Sequence, residues 1–237
     1  MAVNVNTVYR TVLLIINKEQ RGYLTPDEFN KTAAQVQLEI FNEYFDDLNQ
    51  QLRVPGNDSE YSDRIKNLEE KIAIFQGIGN CPASISGRTF DLPTLTSSYE
   101  FYKLGTVIYN DEKEIQYVQP NELLELNLSP ITKPSTYWPV YTYNNFKISV
   151  YPKTITSGIS CTYIRKPLNP IWNFTATAPY YTYVYNPTTS QNFELHPTEQ
   201  TNLITRILLY SGIVIKDPQI VQIAAQQVQA ETVNSKS

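Results

Sequence analysis

Phe29, Ala33, Val36, Ile40, Tyr44 and Leu48 recur at steps of three and four, and Phe41, Phe45 and Leu52 widen their stripe. That spacing predicts one long amphipathic helix, with Lys31, Gln35, Glu39, Asn42 and Asp46 on its polar face. Thr25-Pro26-Asp27-Glu28 supplies its start: a hydroxyl cap, a proline at the first helical position and a carboxylate three residues after the cap. A shorter apolar stripe of Val8, Val12, Ile15 and Ile16 predicts a first helix, capped by Asn6 or Thr7 and ending near Gln20. The turn through Gly22 between them is short enough to make the two an antiparallel hairpin. Pro55-Gly56 breaks the second helix. A third begins at Asp58 or Ser59, carries Tyr61, Ile65, Leu68, Ile72 and Phe75 inward, and is stopped by Gly77 and Gly79.

From Pro82 to Pro187 the pattern changes, and proline, threonine and tyrosine replace the amides and acids of the helices. Short alternating runs predict strands at Phe101 to Tyr109, Ile115 to Val118, Val140 to Tyr143, Phe146 to Tyr151, Ile159 to Arg165 and Tyr180 to Tyr185. Asn144-Asn145 fits a two-residue hairpin turn, which would put Phe146, Ile148 and Val150 on the inner face. Asn121 to Glu125 reads as a brief capped helical turn. Helical spacing returns after Asn192: Leu203, Ile204, Ile207, Leu208 and Tyr210 form one apolar face whose end Gly212 weakens. A last helix after Asp217-Pro218 carries Ile220, Val221, Ala224 and Val228, and a polar tail follows Glu231. The predicted fold is α+β: a helical bundle built from the N- and C-terminal helices, with an inserted antiparallel β domain that is a sandwich or a small barrel. The expected boundaries are 1–80, 81–190 and 191–237.

The stretches NKEQRGYLTPDEFN (17–30) and AQVQLEIFNEYFDDLN (34–49), then Ile148-Ser149-Val150-Tyr151-Pro152, Tyr163-Ile164-Arg165-Lys166-Pro167 and the helical pair after Phe193, resemble head-to-tail connector proteins of short-tailed bacteriophages, including the crAss-like group. The resemblance implies a ring, in twelve copies, that stacks under a portal protein, meets neighbouring tail rings or fibres, and lines a channel through which DNA passes. It implies a structural protein with no enzymatic activity and no cofactor, located in the virion tail after assembly in the host cytoplasm. It also implies that terminal segments reach the portal or the next ring. The last helix and its tail, from Ile220, Val221 and Val228 to Glu231, are the candidate segment.

Composition narrows this picture. The chain has 237 residues, 41% hydrophobic and only 18% charged, with 18 tyrosines and a net charge of −4. Tyrosine-rich, amide-rich surfaces suit wide, wet protein contacts, although strand propensity alone also enriches tyrosine. The negative balance argues against a protein that grips nucleic-acid phosphates, while a channel wall that DNA slides past tolerates it. Arg165-Lys166 is the best basic feature, either a contact for phosphate or an acidic partner or a solvated strand end. No membrane span is expected, because Leu203 to Ile215 is short and contains Arg206. Cys81 and Cys161 show no metal-ligand spacing and read as two free, buried thiols.

The only histidine, His196, precedes Pro197 at a helix start and reads as a local cap rather than a catalytic base. Asp46-Asp47 and Glu112/Glu114 are the nearest carboxylate pairs, and neither has the opposed geometry of a glycosidase. No phosphate-binding glycine loop is present. An alternative function remains in the aromatic-rich β region: a carbohydrate-binding module or phage adhesin, with Trp138, Trp172 and Tyr180 to Tyr185 as its stacking platform.

Overall fold

The computed structural model describes residues 2–18, 23–53, 59–84, 89–95, 99–177 and 182–214, with single positions at 226 and 229. The expected turn at Gly22, the break at Pro55-Gly56, the last helix and the tail lie outside the described residues, and with them Ile220, Val221, Val228 and Glu231. The fold is α+β. In chain order its elements are α1 (Val5–Lys18), α2 (Pro26–Arg53), α3 (Ser59–Ala73), β1 (Gln76–Asn80), β2 (Phe90–Asp91), β3 (Phe101–Tyr109), β4 (Lys113–Tyr117), α4 (Pro120–Leu128), β5 (Val140–Asn144), β6 (Lys147–Tyr151), β7 (Ile159–Arg165), β8 (Phe174–Thr177), β9 (Thr182–Tyr185) and α5 (Gln200–Val214). They fall into two compact units: Met1–Ile74 together with Pro167–Ser237, and Phe75–Lys166. The β8–β9 hairpin therefore belongs with the terminal helices, whereas the sequence reading drew the β region over 81–190.

In the first unit, α2 starts as its sequence dictates. The Glu28 carboxylate accepts from the Thr25 N–H at 2.9 Å, and Thr25 Oγ1 accepts from the Glu28 N–H at 3.3 Å, which makes a reciprocal capping box. Phe29, Ala33, Val36, Ile40, Phe41 and Tyr44 are buried along one face. The first helix departs from expectation at its start: its cap is Asn4, whose side-chain oxygen accepts from the N–H groups of Asn6 and Thr7 at 2.9 and 3.1 Å. The buried stripe explains the shift, since it begins at Val5 and continues through Val8, Tyr9, Val12 and Ile16. Helix α5 lies against both α1 and α2. It carries Gly212 in its last turn and runs to Val214, packing there outweighing the propensity penalty of about 1 kcal/mol for a helical glycine.

Polar side chains fasten the first unit. Arg206 on α5 donates two bonds to Glu43 on α2 at 2.7 and 2.6 Å, and Tyr210 donates to Glu39 at 2.6 Å. Lys71 on α3 meets the mostly buried Glu199 at 2.6 Å. Gln37, buried on α2, donates to the Leu168 carbonyl and accepts from the Glu194 N–H at 2.7 and 3.0 Å, so this buried amide is satisfied.

The second unit is built on a single seven-stranded sheet, order β1-β7-β3-β4-β5-β6-β2, curled into half a barrel. It is not a sandwich, and it is not wholly antiparallel. β4 and β5 run parallel, with Gln116 opposite Val140 and Tyr117 opposite Tyr141, and the stretch 118–139, including α4, makes the crossover that a parallel pair requires. The chain leaving β1 also bridges to the far end of the strand order: Ala83 pairs with Phe90 of β2, and Asp91 N–H donates to the Pro82 carbonyl at 2.9 Å. Phe90, Val107, Ile115, Ile148, Val150 and Ile159 meet in a shared core cluster.

Gly77 and Gly79 do not stop a helix but sit in β1, paired with β7. Their role is close approach. A Cβ on Gly77 would lie 2.6 Å from Tyr163 Cζ, and one on Gly79 would lie 2.6 Å from Pro93 Cβ. Gly79→Ala should therefore lower stability by about 1–3 kcal/mol through overpacking, read as a fall in the urea midpoint. An unchanged midpoint would disprove the close-approach account. The β5–β6 turn also differs from expectation. Asn144 pairs with Lys147, so Asn145 and Phe146 are the two turn residues, at φ of 50° and 58°. Ile148 and Val150 are buried as expected, while Phe146 is displaced to the hairpin tip and 69% exposed.

Candidate functional site

The most unusual surface of the second unit lies on the crossover between β4 and β5. α4 begins where Glu122 reaches back to accept from the Gln119 N–H at 3.0 Å. Leu123 points inward and packs with Val118 and Val140. Leu124 and Leu128, four residues apart and so on one side of the helix, are both exposed. A helix of this length with leucines on two faces has one face that its own unit leaves uncovered.

The segment after α4 adds to that face. Ile131 is 94% exposed, Trp138 is 82% exposed, and Tyr137 and Tyr117 are also open to solvent. The backbone fixes these positions. Lys133 N–H donates to the Ser129 carbonyl at 3.1 Å, and Thr132 Oγ1 donates to the Leu126 carbonyl at 3.1 Å, which ties the segment to the end of α4. Ser135 and Trp138 exchange backbone hydrogen bonds at 3.3 and 3.1 Å, closing a tight turn that presents the indole outward. Lys113 Nζ stands 5.1 Å from the Tyr137 ring centre, a cation–π contact. Between α4, the end of β4 and this segment runs an open cleft of about 780 Å³, whose lining includes Tyr117, Leu126, Ile131 and Trp138 together with Glu122 and Lys133. Apolar and polar side chains share this lining, and with a backbone fixed by its own hydrogen bonds they make a surface suited to holding another protein.

The residues singled out from sequence fall elsewhere. Arg165 and Lys166 close β7 and are engaged within their own unit. The Arg165 guanidinium lies 4.2 Å from the Tyr99 ring centre, and Lys166 pairs with Glu100 at 2.8 Å. That lysine's hydrogen bond and charge hold the Glu100 carboxyl below its usual range. His196 acts as the expected cap, with Nδ1 accepting from the Thr198 N–H at 3.4 Å. Glu112 and Glu114 are both solvated. Trp172 is only 4% exposed: it stacks on Phe174 and Tyr185, meets Tyr9 in a tilted ring contact, and donates its indole N–H to Asn6 at 3.1 Å. It anchors the first unit's core and cannot serve as a sugar platform, while residues 180 and 181 lie outside the described set.

Sequence reasoning noted Trp138 but missed Leu124, Leu128, Ile131 and Tyr137. Leu124 and Leu128 did carry a signal, because leucines at both 123/124 and 128 give a short helix two apolar sides. Among the described residues no group of acidic, histidine and cysteine side chains is placed to hold a metal ion, and no helix is long and apolar enough to cross a membrane. No family model matches the chain, and none of the curated proteins compared with it does so.

Proposed function

We propose that this chain is a structural virion protein, a head-to-tail connector whose copies assemble into a ring between portal and tail and line the passage for DNA. The observation that carries the reading is the uncovered apolar face on α4 and the segment to Trp138, held rigid by its own backbone hydrogen bonds. A lone subunit gains nothing from keeping Ile131, Trp138 and Leu128 in water, since each would gain roughly 1.5–3 kcal/mol by full burial. Copies joined by one repeated rotation would bury that face in every subunit of a closed ring. The resemblance sets the expected number at twelve and names the portal as the neighbour. In the same reading the terminal helices form a bundle, and the last helix with its tail reaches the portal. The mild acidity of the chain suits a wall that DNA slides past without being held.

Electron cryomicroscopy of particles made without this protein tests the reading. Heads that fill but carry no tail, or that leak their genome, are the expected result, and normal tailed particles would end it. The carbohydrate-reading alternative retains Trp138 of its original platform, and a glycan array on the purified protein with no bound sugar would remove it.

A further inference from the structure

Cys81 and Cys161 stand 80 positions apart in sequence, yet their sulfurs lie 3.3 Å from one another in the core of the second unit. Both are free and buried. The strand register explains the meeting. Gly79 pairs with Cys161 and Asn80 with Ser160, and Cys81 N–H donates to the Ile159 carbonyl at 2.8 Å. The two cysteines therefore sit diagonally on the inward face of one strand pair. Buried thiols ordinarily act as small apolar side chains, but this pair has a further property: Cys81 lines a cleft of about 540 Å³ formed with the Asn110-Asp111 turn and the Thr156 to Ser160 segment, and Cys161 does not line it. Cys81 therefore stands at the edge of the core beside the cleft, and Cys161 lies deeper.

We propose that Cys81 and Cys161 are a redox pair that closes to an intramolecular disulfide on contact with a peroxide, fastening the chain beyond β1 to β7. In the first step the Cys81 thiolate attacks one oxygen of hydrogen peroxide. The S–O bond forms, the O–O bond breaks, and the departing hydroxide takes up the Cys81 proton as water, leaving a sulfenic acid. In the second step the Cys161 sulfur attacks Cys81. The S–S bond forms, the S–O bond breaks, and the second hydroxide leaves with the Cys161 proton as water. Two thiols lose two electrons and one peroxide becomes two waters.

Sulfur order follows from the surroundings. The hydrogen bond shared with Cys161 favours the ionised form of Cys81 and draws its pKa down against the effect of burial, while the same bond and burial push Cys161 up. Cys81 is thus both the partner beside the cleft and the more acidic one, as an attacking thiol should be. Reaching a bond length near 2.05 Å requires the sulfurs to approach by about 1.3 Å, within reach of rotation about the Cα–Cβ bonds and small backbone adjustment. Because the disulfide would close a long loop, the oxidised form should melt about 5–10 °C above the reduced one.

The full chain, purified under reductant and then freed of it, is treated with equimolar hydrogen peroxide and followed by intact mass, thiol titration and peptide mapping without reduction. The expected result is loss of two hydrogens, disappearance of both thiols together, a Cys81–Cys161 linked peptide, and a higher melting point that dithiothreitol reverses. With Cys161→Ser, Cys81 should stop at the sulfenic acid and be trapped by dimedone; with Cys81→Ser, Cys161 should stay unreacted. Oxygen adducts without a link in the native sequence, a link between two chains, or two intact thiols would each overturn the proposal, and the native-sequence mapping stands even if a variant fails to fold.

Discussion

Arg206→Ala is expected to lower stability by about 2–3 kcal/mol. The guanidinium side chain is 10% exposed and bonds Glu43 through two nitrogens, while its third nitrogen donates to Asn202 at 2.7 Å. Burial by itself would lower the arginine's pKa, but hydrogen bonding to Glu43 and the charges of Glu43, Glu39 and Glu199 outweigh it and raise it. Alanine would leave those acids facing one another without their cation and remove the planar fork that ties α5 to α2. The figure is set below the usual range for a broken buried pair because the Glu43 side chain is 47% exposed, so water screens it. Glu43→Gln should accordingly lose only about 1 kcal/mol, and Arg206→Lys should fall between the two. Urea unfolding of the three variants checks the order. Arg206→Ala within about 0.5 kcal/mol of the unchanged protein, the range of an ordinary surface substitution, would mean that apolar packing alone holds α5 in place.

Local chemistry explains which elements could be read from sequence. The capping box of α2 needs only Thr25 and Glu28, three residues apart, and it forms as read. Strands β3 and β7 have the bounds their alternation predicts, Phe101–Tyr109 and Ile159–Arg165. The misreadings share a cause: the deciding partner lies far away in the chain. Gly77 and Gly79 look like helix stops until Tyr163 and Pro93 are seen to need their missing side chains. The turn keeps asparagine's preference for positive φ at Asn145 but puts Phe146 there as well, because the register of Ile148 and Val150 with the core places it one residue later than Asn144-Asn145. The parallel pairing of β4 with β5 has no short-range signal at all.

The same reasoning covers the candidate site. Ile131, Tyr137 and Trp138 lie in a run of proline, serine and threonine that has no period, so sequence offers no reason to place them on one surface with Leu128. Arg165 and Lys166 stand out in sequence as the only clustered positive charges in the β region, yet Tyr99 and Glu100 already engage them. The thiols are similar: separation along the chain made them two isolated residues, and only the β1–β7 register brings their sulfurs together.

Replacing Ile131 and Trp138 together by serine is expected to abolish assembly while leaving the subunit folded. Both side chains stand in solvent, and the turn that displays Trp138 is closed by backbone groups and Ser135, not by the indole. Stability of the isolated subunit should therefore stay within about 0.5 kcal/mol of the unchanged protein. Assembly should respond very differently, because an aromatic anchor at the centre of an interface typically contributes about 2–4 kcal/mol, or roughly 30- to 1,000-fold in affinity. The effect should also repeat at every contact of a ring. Sedimentation over a concentration series, together with incorporation of the variant into particles, separates folding from assembly. A control at Phe146→Ser distinguishes the α4 face from the β5–β6 hairpin tip: if the face is the contact, the hairpin change leaves assembly intact. Normal ring formation and normal incorporation by the Ile131/Trp138 double variant would show that the exposed apolar face is not where copies of this chain meet.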